Sequence, residues 1–330
     1  MPEFASVGLK RTKRTKRTKR TKRTKRTKRT IILNIMTSRL SVLKTYKIYI
    51  GGQFPRTESG RYYTAVNAKG VHLANMCLCS RKDVRDAISS ARGAFGGWSS
   101  RSAFNRSQIL YRIAEMLEGR KAQFVEELML QGSSKSAAEQ EVNLAIDRLI
   151  YYSGWCDKYQ QIFSSVNPVA SSHFNFSALE PVGVVTVVAP QSSSLIGLIS
   201  LMAPVIAGGN TCVIIASETK PLCSVTFAEV LNSSDLPGGV VNILTGKVSE
   251  LLPHLSNHMD VNAICFCESD AQQQKMVREN AALNVKRVII HDDKKWNDDK
   301  SQSPYLISDF QEVKTTWHPI ENIGGAKAGY

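Results

Sequence analysis

Val182-Gly-Val-Val-Thr-Val-Val-Ala189, closed by Pro190, is a β-branched run with no polar face. A run of that kind reads as a strand buried on both sides. Four more short apolar runs follow, at 211–216, 240–244, 261–267 and 285–290. Helical windows lie between them, near 195–207, 221–232, 249–257 and 270–282. Strand and helix alternating in this way predict a parallel sheet covered on both faces, a doubly wound α/β architecture. No G-x-G-x-x-G fingerprint follows any of these strands.

Upstream, the rhythm is helical. Ser80 is a capping residue before Val84, Ala87, Ile88, Ala91 and Phe95, which recur at helical spacing. Ile109, Ile113, Met116 and Leu117 predict a second helix continuing towards Leu128, and a third is expected over about 137–163. Residues 46–63 show β-type alternation broken by Gly51-Gly52.

The net charge of +15 over 330 residues is misleading. Residues 10–30 are Lys-Arg-Thr repeated without interruption, and the remainder is close to neutral. Bulk charge therefore gives no argument for a nucleic-acid-binding globular domain. The repeat cannot bury apolar area and repels itself, so residues 1–36 are expected to be a disordered basic tail. Read as functional, that tail would contact nucleic acid or acidic surfaces; read plainly, it is a repeat expansion or an upstream start, with Met36 as the true beginning. No apolar stretch approaches the ~20 residues of a membrane span, and no secretion signal is visible. Seven cysteines, an odd number, suit a reducing, cytoplasmic setting better than a disulfide framework.

Several spaced motifs agree in order. Glu180-Pro-Val-Gly-Val-Val185 with Pro190, Ala207-Gly-Gly-Asn-Thr211, Glu218 and Pro221 come first. Leu236-Pro-Gly-Gly-Val-Val-Asn-Ile243, Thr245-Gly246 and His258-Met-Asp260 continue the series. Together they resemble the N-terminal and cofactor-binding half of an aldehyde dehydrogenase, over roughly residues 44–290. Thr315-Thr-Trp-His-Pro319 and Gly324-Gly-Ala-Lys-Ala-Gly-Tyr330 narrow the resemblance to the degenerate second module of two-module (family 16) aldehyde dehydrogenases and paired bacterial homologues. The resemblance implies helices leading into a Rossmann-like sheet, with NAD or NADP as cofactor. It also implies a cysteine nucleophile, a glutamate base and an asparagine amide holding the oxyanion.

Measured against that pattern, the chain departs at each functional position. Pro190-Gln191-Ser192-Ser193-Ser194 stands for Pro-Trp-Asn-Phe-Pro, which puts Ser192 at the oxyanion asparagine; losing one such donor costs roughly 10²–10³ in rate. Ile215-Ala216-Ser217-Glu218 stands for Lys-Pro-x-Glu and keeps only the glutamate. Phe266-Cys267-Glu268-Ser269-Asp270 stands for Phe-Thr-Gly-Ser-Thr, so the helix start that meets the pyrophosphate carries two carboxylates. Each carboxylate facing a phosphate at ~4 Å costs about 1 kcal/mol in water and about 4 at an effective dielectric of 20. Asp270 is expected to cap that helix itself. His291 replaces the base glutamate, and no cysteine follows Cys267. The expected cofactor contacts are thus Pro190, Glu218 and Ser269, with no catalytic set and no metal.

Other candidates have plain readings. Cys265 and Cys267 share one face of a strand and pack as small apolar residues. Cys77-x-Cys79 has no second ligand pair at zinc-site spacing, and His254 and His258, at i and i+4, lack the glutamate of a zinc protease. Asp292, Asp293, Asp298 and Asp299 form an acidic loop without calcium-loop spacing. The resulting expectation is three segments: the tail 1–36, an aldehyde dehydrogenase-like body 37–300 without a catalytic domain, and a C-terminal extension 301–330. The body is expected to be a non-catalytic partner of an active NAD-dependent aldehyde dehydrogenase, in a homo- or hetero-oligomer joined through the alternating segment His173-Phe-Asn-Phe-Ser-Ala-Leu179. Two alternatives stand beside it: a truncated NAD(P)-dependent oxidoreductase acting on aldehydes, and a nucleic-acid-binding protein working through its tail.

Overall fold

Alternate side chains along each strand of the parallel sheet enter two different cores, and that division builds the architecture. The computed structural model describes residues 44–291 and 294–320, and the described residues from Thr45 onward form one compact unit. The expected tail 1–36, Asp292, Asp293 and residues 321–330 lie outside the described residues.

The chain enters through an antiparallel pair, β1 (Tyr62–Val66) and β2 (His72–Cys77). Five helices follow: α1 (Arg81–Ser99), α2 (Ala103–Gly119), α3 (Lys121–Leu130), α4 (Lys135–Trp155) and the short α5 (Tyr159–Phe163). After β3 (Ser165–Asn167) and β4 (His173–Pro181) the alternation begins. It runs β5 (Val184–Val188), α6 (Ile196–Ala207), β6 (Thr211–Ile215), α7 (Leu222–Asn232) and β7 (Val241–Leu244). It continues with α8 (Val248–Asn257), β8 (Ala263–Phe266), α9 (Ala271–Ala282) and β9 (Arg287–Ile290). A short α10 (Tyr305–Ser308) leads into β10 (Gln311–Pro319).

The five central strands pair in parallel in the order β7-β6-β5-β8-β9. Val184, Val188, Val213, Ile215, Ile264 and Phe266 enter one core, against Val84, Ile88 and Ala91 of α1 and Leu251, Leu252 and Leu255 of α8. Val185, Val187, Cys212, Ile214, Ala263 and Cys265 enter the other, against α2–α4, α6 and α7. Fully burying one such branched side chain contributes roughly 1.5–3 kcal/mol. The predicted doubly wound sheet is therefore the observed one, and its helices and strands lie within a few residues of the expected windows.

Three local expectations are corrected. The second helix does not run on to Leu128: it ends at Gly119, a poor helix former, and Arg120 leaves helical geometry before α3 begins. The third does not reach Phe163: a turn after Trp155 re-aims the chain so that Tyr159 is buried, its hydroxyl donating to the Gly208 carbonyl at 3.5 Å. Residues 46–61 make no regular strand. Tyr49 forms an isolated antiparallel bridge with Ile243 at the edge of β7, and the first strand starts at Tyr62.

The alternating segment 173–179 is a strand, β4. β10 pairs antiparallel along all of it, from Gln311 opposite Pro181 to Pro319 opposite His173. The three residues of β3 pair with its other edge. Among the described residues, no helix is long and apolar enough to cross a membrane.

Candidate functional site

In an open α/β sheet the ligand crevice lies outside the carboxyl ends of the strands, where the strand order reverses. Here β5 connects to β6 on one side and pairs with β8 on the other, so the crevice lies between the loops after β5 and β8. Those loops carry Pro190, Gln191 and Ser192 on one side, and Cys267, Glu268 and Ser269 on the other.

The two loops are joined across the crevice. The Gln191 backbone N–H donates to Glu268 Oε1 at 3.0 Å. Burial raises the Glu268 carboxyl above its ordinary range, and the Gln191 N–H opposes that rise. The Gln191 side chain then ties in the loop after β6: its Oε1 accepts the Glu218 N–H at 2.7 Å. The Gln191 carbonyl accepts from the hydroxyls of Ser217 and Thr219 at 3.2 and 2.8 Å. Three strand-end loops thus meet on one residue that sequence reasoning passed over. The available signal was a polar residue directly after the Pro190 that closes β5's apolar run.

The helix N-termini around the crevice are also supplied with carboxylates from within the chain. Asp270 caps α9, accepting from the N–H groups of Gln272 and Gln273 at 2.9 and 3.1 Å, as expected from the sequence. Glu218 Oε2 accepts from Val248 N–H at 3.3 Å at the start of α8. The start of α6 has an apolar N-cap, Leu195, with no side-chain cap. Two of its donors are met from a distance: Glu141 Oε1, on α4, accepts from the N–H groups of Leu195 and Ile196 and from the Ser193 hydroxyl, each at 3.2 Å, while Ser193 Oγ itself accepts the Gly197 N–H at 2.9 Å. Glu141 was also missed. The missing local cap is the signal that a remote acceptor was needed.

The expected site residues fall as follows. Pro190 is buried, and Gly197 of α6 packs so closely that a Cβ would stand 2.6 Å from Pro190 Cγ. Ser192 is exposed, and its carbonyl accepts from Lys220 Nζ at 2.9 Å. Glu218 is half-buried and is engaged by the α8 terminus; Ser269 is exposed. The His291 N–H donates to the Phe266 carbonyl at 3.0 Å, and its ring stands edge-on to Trp296, with centroids 5.8 Å apart. Trp296 belongs to the larger core, so the ring's contact there is one of packing. The structure brings the Pro190 loop together with Glu218 through Gln191, but gives Ser269 and His291 no part in that network.

Beside the crevice, a groove of ≈470 Å³ runs between the start of α8 and the first turns of α9, lined by Ser249, Gln272, Gln273, Lys275, Met276 and Glu279. Its lysine lies 3.7 Å from Glu279. His254 and His258 do not share a helix face, because His258 is the extended C-cap of α8. They line a separate cavity of ≈670 Å³ with Arg81, Lys82 and Arg85. Among the described residues, no three His, Cys, Asp or Glu side chains stand together as a metal-holding group.

The pattern of the aldehyde dehydrogenase family matches residues 55–291. Cytosolic 10-formyltetrahydrofolate dehydrogenase of Mus musculus is 32% identical over 258 residues, which cover 76% of this chain and 29% of that protein. The putative aldehyde dehydrogenase DhaS of Bacillus subtilis (strain 168) is 32% identical over 251 residues, 74% of this chain and 50% of the relative. Among solved structures, an NAD+ complex of aldehyde dehydrogenase from Bacillus cereus superposes with a TM-score of 0.71 at 26% identity, covering 75% of this chain and 50% of that one. The chain therefore spans half or less of the length of these relatives. Fold, ordered motifs and this matched span converge: the chain belongs to the aldehyde dehydrogenase family.

Proposed function

We propose that this chain is a non-catalytic aldehyde dehydrogenase-like module that supports or regulates a catalytically competent, NAD-dependent member of the family. The observation that carries this reading is the Gln191 N–H to Glu268 carboxylate bond across the crevice. A backbone donor at a strand end is what a dinucleotide phosphate would need, and here an internal anion holds it. The donors at the start of α9 are likewise held by Asp270. A phosphate entering would displace one carboxylate and lie beside another, at a cost of the order of 1–4 kcal/mol each. The residues present do not fit a pyrophosphate.

The chemistry at the remaining positions agrees. Ser192 offers a hydroxyl where the family pattern has an amide, and His291 packs on Trp296. Association with a partner is supported by the β10-β4-β3 sheet, which presents Val166, Phe174, Val313 and Trp317 as exposed apolar side chains.

The test is a calorimetric titration of NAD into the full chain and into E268Q. The reading requires no heat of binding for wild type at millimolar NAD. Micromolar binding by wild type would sink it and leave a cofactor-dependent subunit instead. Co-purification from the native source is the companion measurement, with an active aldehyde dehydrogenase as the expected partner.

A further inference from the structure

The segment expected to join subunits, 173–179, is interior to its sheet: β10 fills one edge of β4 along its whole length, and β3 fills the middle of the other. The long open edge is the outer one of β10, which no strand pairs among the described residues. The register fixes which backbone groups face outward there. Val182 N–H donates to the Phe310 carbonyl at 3.3 Å and Ile320 N–H to the Ser172 carbonyl at 3.0 Å, so even-numbered positions of this strand bond inward to β4. Pro181, which has no N–H, stands opposite Gln311, at a position without an inward bond. The N–H and C=O groups of Val313, Thr315 and Trp317 therefore point away from β4. The Gln311 carbonyl also points outward but is taken by Arg287, and Pro319 has no N–H, so the open run is 313–317. Val313 and Trp317 are 67% and 57% exposed. Charges that would guard an edge strand are drawn back onto their own chain: Lys314 Nζ lies 2.8 Å from Glu180, and Glu312 2.9 Å from Arg287.

We propose that two copies of this chain pair through this edge, β10 against β10, antiparallel about a two-fold axis at Thr315. That register sets Thr315 opposite Thr315 of the partner subunit, and each outward N–H and C=O of 313, 315 and 317 meets its complement. Val313 stands opposite Trp317 of the partner subunit, a β-branched residue against an aromatic one, and Glu312 opposite His318 of the partner subunit. Neighbouring registers are worse. Centred on Lys314, the pairing sets two ammonium groups face to face; centred on Thr316, it sets Lys314 against His318 of the partner subunit and breaks the valine–tryptophan pair. A two-fold contact of this kind closes on itself, so it gives a dimer and not a fibre. The inference goes beyond the non-catalytic reading and does not depend on whether the crevice holds a dinucleotide.

The test is sedimentation velocity of the full chain from about 1 to 100 μM, the range of a weak specific contact. The net charge of +15 makes two copies repel, so the run is made in about 1 M salt, where the Debye length is about 3 Å. A dimer whose share rises with concentration is expected; a monomer throughout would overturn the pairing. T315P removes the central outward donor and no bond to β4, and should weaken the dimer at least about tenfold. V166K, on exposed β3, should leave it unchanged. Equal dimerisation by T315P and wild type, or loss of the dimer in V166K, would overturn the edge. T315C reads the register without a proline. Its two copies stand about 5.5 Å apart at Cα, within disulfide reach, so mild oxidation should give a covalent dimer. Wild type is the blank, because its seven cysteines are buried. V313C alone should not cross-link, its own copy lying four residues along the partner strand, about 14 Å away, whereas V313C mixed with W317C should. Cross-linking of V313C alone as fast as T315C would overturn the register.

Discussion

Helices α6 and α9 are each 12 residues long, and each begins beside the same crevice, yet they are built on opposite terms. Every residue of α6 is buried, whereas α9 buries only Val277 and Ala281. Each start leaves N–H groups without intrahelical partners. α9 is capped by its own Asp270, a local hydrogen bond. α6 begins inside the protein: its one local acceptor, the Ser193 hydroxyl, meets the Gly197 N–H and leans on Glu141, and the two N–H groups before it take Glu141 itself, more than 50 residues earlier in the chain. The comparison shows that an exposed helix can be finished by its own sequence alone, while a buried one needs an acceptor that only the fold brings to it.

That contrast can be broken in order of expected effect. Ile199→Ala in α6 removes a fully buried side chain and should cost about 3 kcal/mol in urea denaturation. R278A, on an exposed position of α9, should stay within about 0.5 kcal/mol. Next comes Glu141→Ala, which strips one acceptor from three donors and should cost about 2 kcal/mol, with E141Q recovering part of the loss. D270A should cost about 1 kcal/mol, because water can reach the exposed α9 terminus. An equal loss from E141A and D270A would erase the distinction between remote and local capping.

The smallest effect is a pH dependence at Glu268. Burial raises its carboxyl above the ordinary value of 4.5, so it takes up a proton more readily in the folded state than in the unfolded chain. Its contribution is fully present below 4.5 and is lost as pH rises through the higher folded value. Thermal unfolding across pH 4–7 should therefore show wild type losing stability relative to E268Q as pH rises, with a constant difference above that window. The opposite slope would mean that the Gln191 N–H outweighs burial.

Much of this was legible in the residues. The β-branched run before Pro190 and its four successors identify the parallel sheet, because a strand buried on both faces must be apolar at every position. Asp270 as a cap was readable for the same reason that α9 is exposed: its hydrogen bonds are two and three residues away. The breaks at Arg120 and after Trp155 were not, since apolar spacing persists across a turn that tertiary packing imposes.

By itself, then, the sequence determined the family and the strand order's raw material, and it raised the expectation that Ser192, Glu268 and His291 stand at the asparagine, glycine and glutamate positions. Only the tertiary structure decided what those side chains touch. Glu268 is 77 positions from Gln191, and Glu141 more than 50 from the helix it caps. No local pattern encodes such pairs, because a carboxylate's effect depends on which backbone N–H the fold sets at 3 Å from it, and that distance exists only once the sheet has closed.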